Sequence, residues 1–180
     1  MLGLVFTEFV EMVEDRFSPE VADEVVEAVG APNGGAYTAV GYYPHQEIVA
    51  MVQALSERSG VPVPTLVRTF GRHLLGRFAV GHSELFTRHT GLFGFLAAVD
   101  GEIHAHVRKL YDQASLPRFT VIARDDDRMQ LLYESTRSME DLALGLIEGA
   151  ADHYGETVRV ASSRWTGDGR QGTLFTIERA

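Results

Sequence analysis

An α+β domain, with an N-terminal helical lobe packed on a C-terminal antiparallel sheet with helices, is the fold class this sequence predicts. Two observations predict it. Up to about residue 111 the apolar residues recur at helical spacing, whereas from residue 118 short β-type runs separated by polar turns take over. The chain's 180 residues suit one domain that buries roughly 70% of its unfolded surface. We expect a single domain over 1–180 with lobes at 1–62 and 63–180.

The elements follow in order. Val5, Phe9, Met12 and Val13 alternate with Glu8, Glu11 and Glu14 in a first amphipathic helix. Ser18 can cap a second helix, Pro19 fits its first position, Val21, Val25, Val26 and Val29 line it, and Gly30 ends it. A Pro/Asn/Gly loop over 31–39 leads to a third helix from near Pro44 to Gly60, carrying Ile48, Val49, Met51, Val52 and Leu55. Pro64 starts a fourth, with Leu66, Val67, Phe70, Leu74 and Phe78 on one stripe. Leu85 and Phe86 mark a short helical piece, and 91–111 reads as one long helix or two abutting ones. Strands are predicted at 118–123 and 129–135 around the polar turn 124–128. Ser138 and Asp141 have capping-box spacing ahead of a helix that ends at Gly155. Strands at 157–165 and 173–178 flank Thr166-Gly167-Asp168-Gly169, a terminal hairpin.

Composition narrows the function. A net charge of −9 argues against a general nucleic-acid or anionic-membrane surface. With no cysteine, disulfides and thiolate ligands are excluded, so any metal is held by His or carboxylate. The first 17 residues contain Glu8, Glu11, Glu14 and Asp15 and no basic leader, so no signal peptide is expected. No segment reaches the roughly 20 apolar residues of a membrane helix, and a cytoplasmic location is the expectation.

Tyr133, Ser135 and Arg137 stand at alternate positions where an apolar run gives way to a helix. In an extended strand they would project from one face at steps of roughly 6 to 7 Å. A guanidinium fork beside two hydroxyls suits a carboxylate, and a solvated strand face would look the same. Of the seven histidines, none forms an HxxxH helix pair. His104 and His106, two apart on a helix, should point about 200° apart, so at most one faces inward. A lone half-buried histidine is commonly a hydrogen-bonded core imidazole; it is also what holds haem iron. Haem brings two propionates that need a carboxylate clamp.

With His104 in Glu102-Ile103-His104-Ala105-His106-Val107 and the Tyr133-x-Ser135-x-Arg137 pattern, the chain resembles the haem nitric oxide/oxygen binding (H-NOX) domains, related to the sensor domain of soluble guanylate cyclase. The likeness extends over essentially the whole chain, including Met1-Leu2-Gly3-Leu4-Val5-Phe6 and Leu144-Gly145-Leu146-Ile147-Glu148-Gly149. It implies haem b (iron protoporphyrin IX) between the lobes, with His104 as the iron ligand. By the same resemblance Pro117 presses on the porphyrin, and Tyr133, Ser135 and Arg137 hold the propionates.

The gas then depends on distal polarity, because bound oxygen is held better by a hydrogen-bond donor and nitric oxide needs little such help. Where oxygen-binding members carry a distal tyrosine, this chain has Leu142. By resemblance Val5, Phe9, Leu74, Phe78 and Leu146 complete the distal wall, and none has a polar side-chain atom. The expectation is a ferrous-haem sensor of nitric oxide and carbon monoxide that excludes oxygen. A ligand that weakens the opposite bond to His104 would relieve the pressure on Pro117 and relax the His104 helix. Without a phosphate-binding glycine loop of the G-x-x-x-x-G-K kind, output is expected through a separate protein; in the family that is a histidine kinase or a cyclic-di-GMP enzyme. A haem-free regulatory module for small hydrophobic molecules is the alternative. A peroxidase-like enzyme would need a distal acid or base, and only His73, beside Leu74, stands near enough in sequence to supply one.

Overall fold

The computed structural model describes residues 1–111, 113–167 and 169–180. Helices α1 (Gly3–Arg16), α2 (Pro19–Val29) and α3 (His45–Ser59) precede the long α4 (Val63–Gly81). After α5 (Ser83–Thr87) comes one continuous helical run: α6 (Leu92–Ala98), a π-helical segment (Val99–Ile103) and α7 (His104–Leu110). Strands β1 (Arg118–Arg124) and β2 (Arg128–Glu134), helix α8 (Glu140–Tyr154), and strands β3 (Val158–Gly167) and β4 (Arg170–Arg179) complete the chain. The α+β expectation holds: the four strands form one antiparallel sheet in the order β1-β2-β4-β3.

Local chemistry explains most boundaries. The Ser18 hydroxyl accepts from the Val21 amide, Pro19 occupies the first turn of α2, and Gly30 closes it at φ 59°. The β3–β4 ladder runs further than the apolar pattern indicated, to the pair Gly167↔Arg170. Of the predicted turn, Asp168 lies outside the described residues.

The predicted capping box fails. Helix α8 starts at Glu140 after Met139, with no side-chain cap, while Ser138 sits at φ 48°, the one non-glycine residue with positive φ among those described. In that conformation Ser138 belongs to the turn before the helix and its hydroxyl does not cap. An L-residue there carries left-handed strain that glycine avoids. Ser138→Gly is therefore expected to stabilise the fold by about 0.5–1 kcal/mol, measured by urea unfolding.

Two apolar cores share α4. Leu66, Phe70 and Leu74 pack with Phe6, Phe9, Met12 and α2–α3, whereas Leu75 and Ala79 pack with α5, α6, α8 and the sheet. The 62/63 boundary thus falls at the start of a helix that feeds both cores. Gly71, Gly145 and Gly149 bring α4 and α8 together. A Cβ on Gly145 would lie 2.1 Å from the Arg68 carbonyl oxygen, and one on Gly71 2.5 Å from that of Leu142. Pairs Arg68–Glu148 and Arg72–Asp152 lace the same seam at the surface. This contact sets how far Leu74 and Phe78 on α4 stand from Leu142 and Leu146 on α8.

Candidate functional site

Between the cores lies a cavity of about 660 Å³, walled by α1, α4, α8, the α6–α7 run, the 113–117 loop and the ends of β1 and β2. Its lining includes His104, Pro117, Tyr133, Ser135 and Arg137, and also Val5, Leu74, Phe78, Leu142 and Leu146. Phe9 does not reach it. That ring is fully buried one layer back, edge-on to Phe70 at 5.2 Å, as core behind the wall.

His104 opens α7, directly after the π-helical segment, whose wider turn ends with the His104 amide donating to the Val99 carbonyl. Its ring lies 5.8 Å from Phe119. Nδ1 is buried, without a hydrogen-bond partner among the described residues, and 3.6 Å from Asp100 Oδ1. That leaves Nε2 as the nitrogen open to the cavity. Burial pushes the His104 imidazole below its ordinary value, opposed by Asp100 and the Pro117 backbone. The ring is consequently neutral at pH 7, the form that ligates metal. His106 also lines the cavity, contrary to the expectation that at most one of the two faces inward. The helical run passes along the cavity rather than end-on, so both side chains border it.

Tyr133, Ser135 and Arg137 come together at the cavity, but not by strand alternation. Strand β2 ends at Glu134, and Arg137 follows in a bend in which its amide donates to Ser135 Oγ at 3.1 Å. Arg137 Nη1 donates to the Ser115 carbonyl at 3.0 Å, tying the bend to the loop that carries Pro117. Tyr133 is buried, and desolvation raises its phenol above the usual value, opposed by Ser135 and the Met139 backbone; it stays a neutral donor. A hydroxyl pair and a guanidinium thus border a largely apolar chamber, a donor set for a carboxylate.

His73 turns away. Its Nε2 stands 3.4 Å from Oε2 of the buried Glu8, which also accepts from Arg77 Nε at 2.8 Å, and none of the three lines the cavity. The sequence reading missed Tyr42 and His82, both of which do line it. Tyr42 sits 39% exposed and bridges to Leu2, and His82 follows the end of α4. Neither stands in a motif, so only the tertiary fold could find them.

A family model described as haem-NO-binding matches residues 2–162. The chain belongs to the H-NOX family. Its members are haem-binding gas-sensor domains. Solved relatives agree over the full chain. The IWP-051-bound H-NOX of Shewanella woodyi, in the Fe(II)CO state, is 39% identical with a TM-score of 0.85, covering 100% of this chain and 95% of that one. The H-NOX protein of S. oneidensis in the Fe(II)NO state is 26% identical at TM-score 0.91, covering 100% and 99%. The Fe(II) unliganded H-NOX of K. algicida is 28% identical at 0.91, covering 100% and 97%. Among curated proteins, none matches the chain.

The residues present fit the H-NOX cofactor. A largely apolar chamber, the His104 imidazole with Nε2 open to it, and a Tyr/Ser/Arg set match a flat apolar macrocycle with a metal and two carboxylates. Arg137→Ala removes the only charged member of that set. Haem is expected to leave this variant about 10-fold faster, read by transfer to apomyoglobin.

Proposed function

We propose that this H-NOX domain is a ferrous-haem sensor that binds nitric oxide and carbon monoxide, excludes oxygen, and signals to a separate protein. His104 would hold the iron of haem b, Tyr133, Ser135 and Arg137 the propionates, and Pro117 the proximal face. Val5, Leu74, Phe78, Leu142 and Leu146 would form the distal wall, with Phe9 supporting it. The lobes 1–62 and 63–180 would close on the cofactor. When bound, haem supplies the ferrous iron on which the gas binds.

One observation carries the gas assignment. Val5, Leu74, Phe78, Leu142 and Leu146, which would form the distal wall, all line the cavity and carry no hydrogen-bond donor, so bound oxygen, with its superoxide-like charge, would gain nothing from them. Tyr42 and His82 also line the cavity and carry donors; the assignment requires that neither reaches the bound gas. The test adds the missing donor. Leu142→Tyr is expected to bind oxygen at least 10-fold more tightly than the parent, as one hydrogen bond of about 1.5 kcal/mol allows. Oxygen affinity equal to that of the variant in the unmodified chain would sink the assignment.

Residue geometry suggests how the signal leaves. Arg137 is bonded to Ser115, beside Pro117, and His104 heads α7. Release of His104 would therefore free α7 and the 113–117 loop together, biasing two packings of the proximal lobe. The receiver would be a histidine kinase or a cyclic-di-GMP enzyme. Among the described residues no helix is long and apolar enough to cross a membrane, and a cytoplasmic setting suits such a partner.

A further inference from the structure

A metal-ligating imidazole is aimed and tuned by what its second nitrogen meets. In His104 that nitrogen is Nδ1, buried and unpartnered among the described residues. Asp100 Oδ1 stands 3.6 Å from it, and the same oxygen accepts from the Phe119 amide of β1 at 3.5 Å. The carboxylate is thus held between the proximal helix and the first strand. The π-helical segment Val99–Ile103 contains Asp100 and ends immediately before His104. Phe119 continues the path: its ring lies 5.8 Å from His104 and 5.3 Å from Tyr133.

We propose that Asp100 is the positioning residue of the iron ligand: when His104 holds iron, the Asp100 carboxylate closes the 3.6 Å gap to accept a hydrogen bond from Nδ1–H, aims Nε2 into the cavity and couples α7 to β1 through Phe119. The inference rests on the haem reading above. Two acceptors are near the ring, the Pro117 backbone and Asp100. Only the carboxylate is charged, and a charge-assisted bond is roughly twice as strong as a neutral one. His104 is its one ion-pair partner among the described residues, and Arg108 donates to the Asp100 backbone carbonyl at 3.4 Å rather than pairing with the carboxylate. An imidazole donating to a carboxylate is a stronger base toward metal. Asp100 would thereby set how firmly His104 holds iron when haem is bound.

The test is resonance Raman spectroscopy of the gas-free ferrous protein, with Asp100→Asn and Asp100→Leu beside the parent. Asparagine keeps the shape and an oxygen acceptor but no charge; leucine keeps neither acceptor nor charge. The iron–histidine stretch is expected to fall stepwise from parent to Asn to Leu, with haem loss about 10- to 100-fold faster in the Leu variant. Circular dichroism reports whether each variant is folded, and the near-isosteric Asn variant serves if Leu unfolds. An unchanged stretch in folded variants overturns the role of Asp100, even if haem is lost faster, because a merely structural residue would not move that frequency. A parent without any Soret band overturns the haem reading instead, and the two failures are therefore distinct.

Discussion

His104→Gly is expected to abolish normal haem ligation, the largest functional effect of any single substitution in the chain. Among the described residues, His104 presents a neutral imidazole between Pro117 and Phe119, with Nδ1 turned to Asp100 and Nε2 open to the cavity. Glycine removes the donor and leaves a hole of imidazole size beside the chamber. Haem loss should rise by more than the roughly 100-fold that removal of a supporting partner alone can cost. Free imidazole should fill that hole and restore the ferrous spectrum. His106 also borders the cavity, which gives the experiment a second arm. His106→Gly should leave the iron–histidine stretch unchanged. Retained ligation in His104→Gly, lost in His106→Gly, would transfer the role.

The largest effect on stability is expected from Gly145→Ala. The new Cβ would stand 2.1 Å from the Arg68 carbonyl oxygen and 2.9 Å from Gly71 Cα, both backbone atoms of α4 that cannot swing aside. Helices α4 and α8 must separate, at about 3 kcal/mol for overpacking, against about 1 kcal/mol of helix propensity gained. The net loss of roughly 2 kcal/mol should lower Tm by about 4–8 °C. Gly76, on the exposed face of the same α4, has nothing within 4 Å of its would-be Cβ. Gly76→Ala should therefore stabilise by about 1 kcal/mol. Opposite signs for two glycine-to-alanine changes separate close approach from propensity. Because the seam spaces Leu74 and Phe78 from Leu142 and Leu146, Gly145→Ala should also shift the spectrum of bound carbon monoxide.

Much of this molecule is legible in the sequence where the cause is local. Ser18, Pro19 and Gly30 define α2 because cap, proline and left-handed glycine act within one turn. The strands at 118–124 and 128–134 follow from β-type runs around a polar turn. The family follows from His104, Pro117 and the Tyr133/Ser135/Arg137 pattern, whose members the fold brings to one cavity.

What escaped depends on tertiary partners or on backbone detail. The π-helical segment at 99–103 shifts the helical register by one residue over a single turn, too briefly to alter an apolar stripe. Tyr133, Ser135 and Arg137 do line one cavity, yet not by strand geometry, because Ser135 Oγ captures the Arg137 amide and bends the chain after Glu134. Ser138 carried the capping signature while its φ of 48° put it in a turn. Phe9 shares a helix face with residues near the cavity, but Phe70 covers it. The roles of Gly71 and Gly145 exist only between two helices, and neither helix alone reveals them.

The most direct measurement is the absorption spectrum of the anaerobically reduced protein, followed by nitric oxide and air added to separate samples. The expected result is a Soret band that shifts with nitric oxide and forms no stable oxy complex in air. A reduced protein without a Soret band, or one that forms a stable oxy complex, would contradict an oxygen-excluding haem sensor.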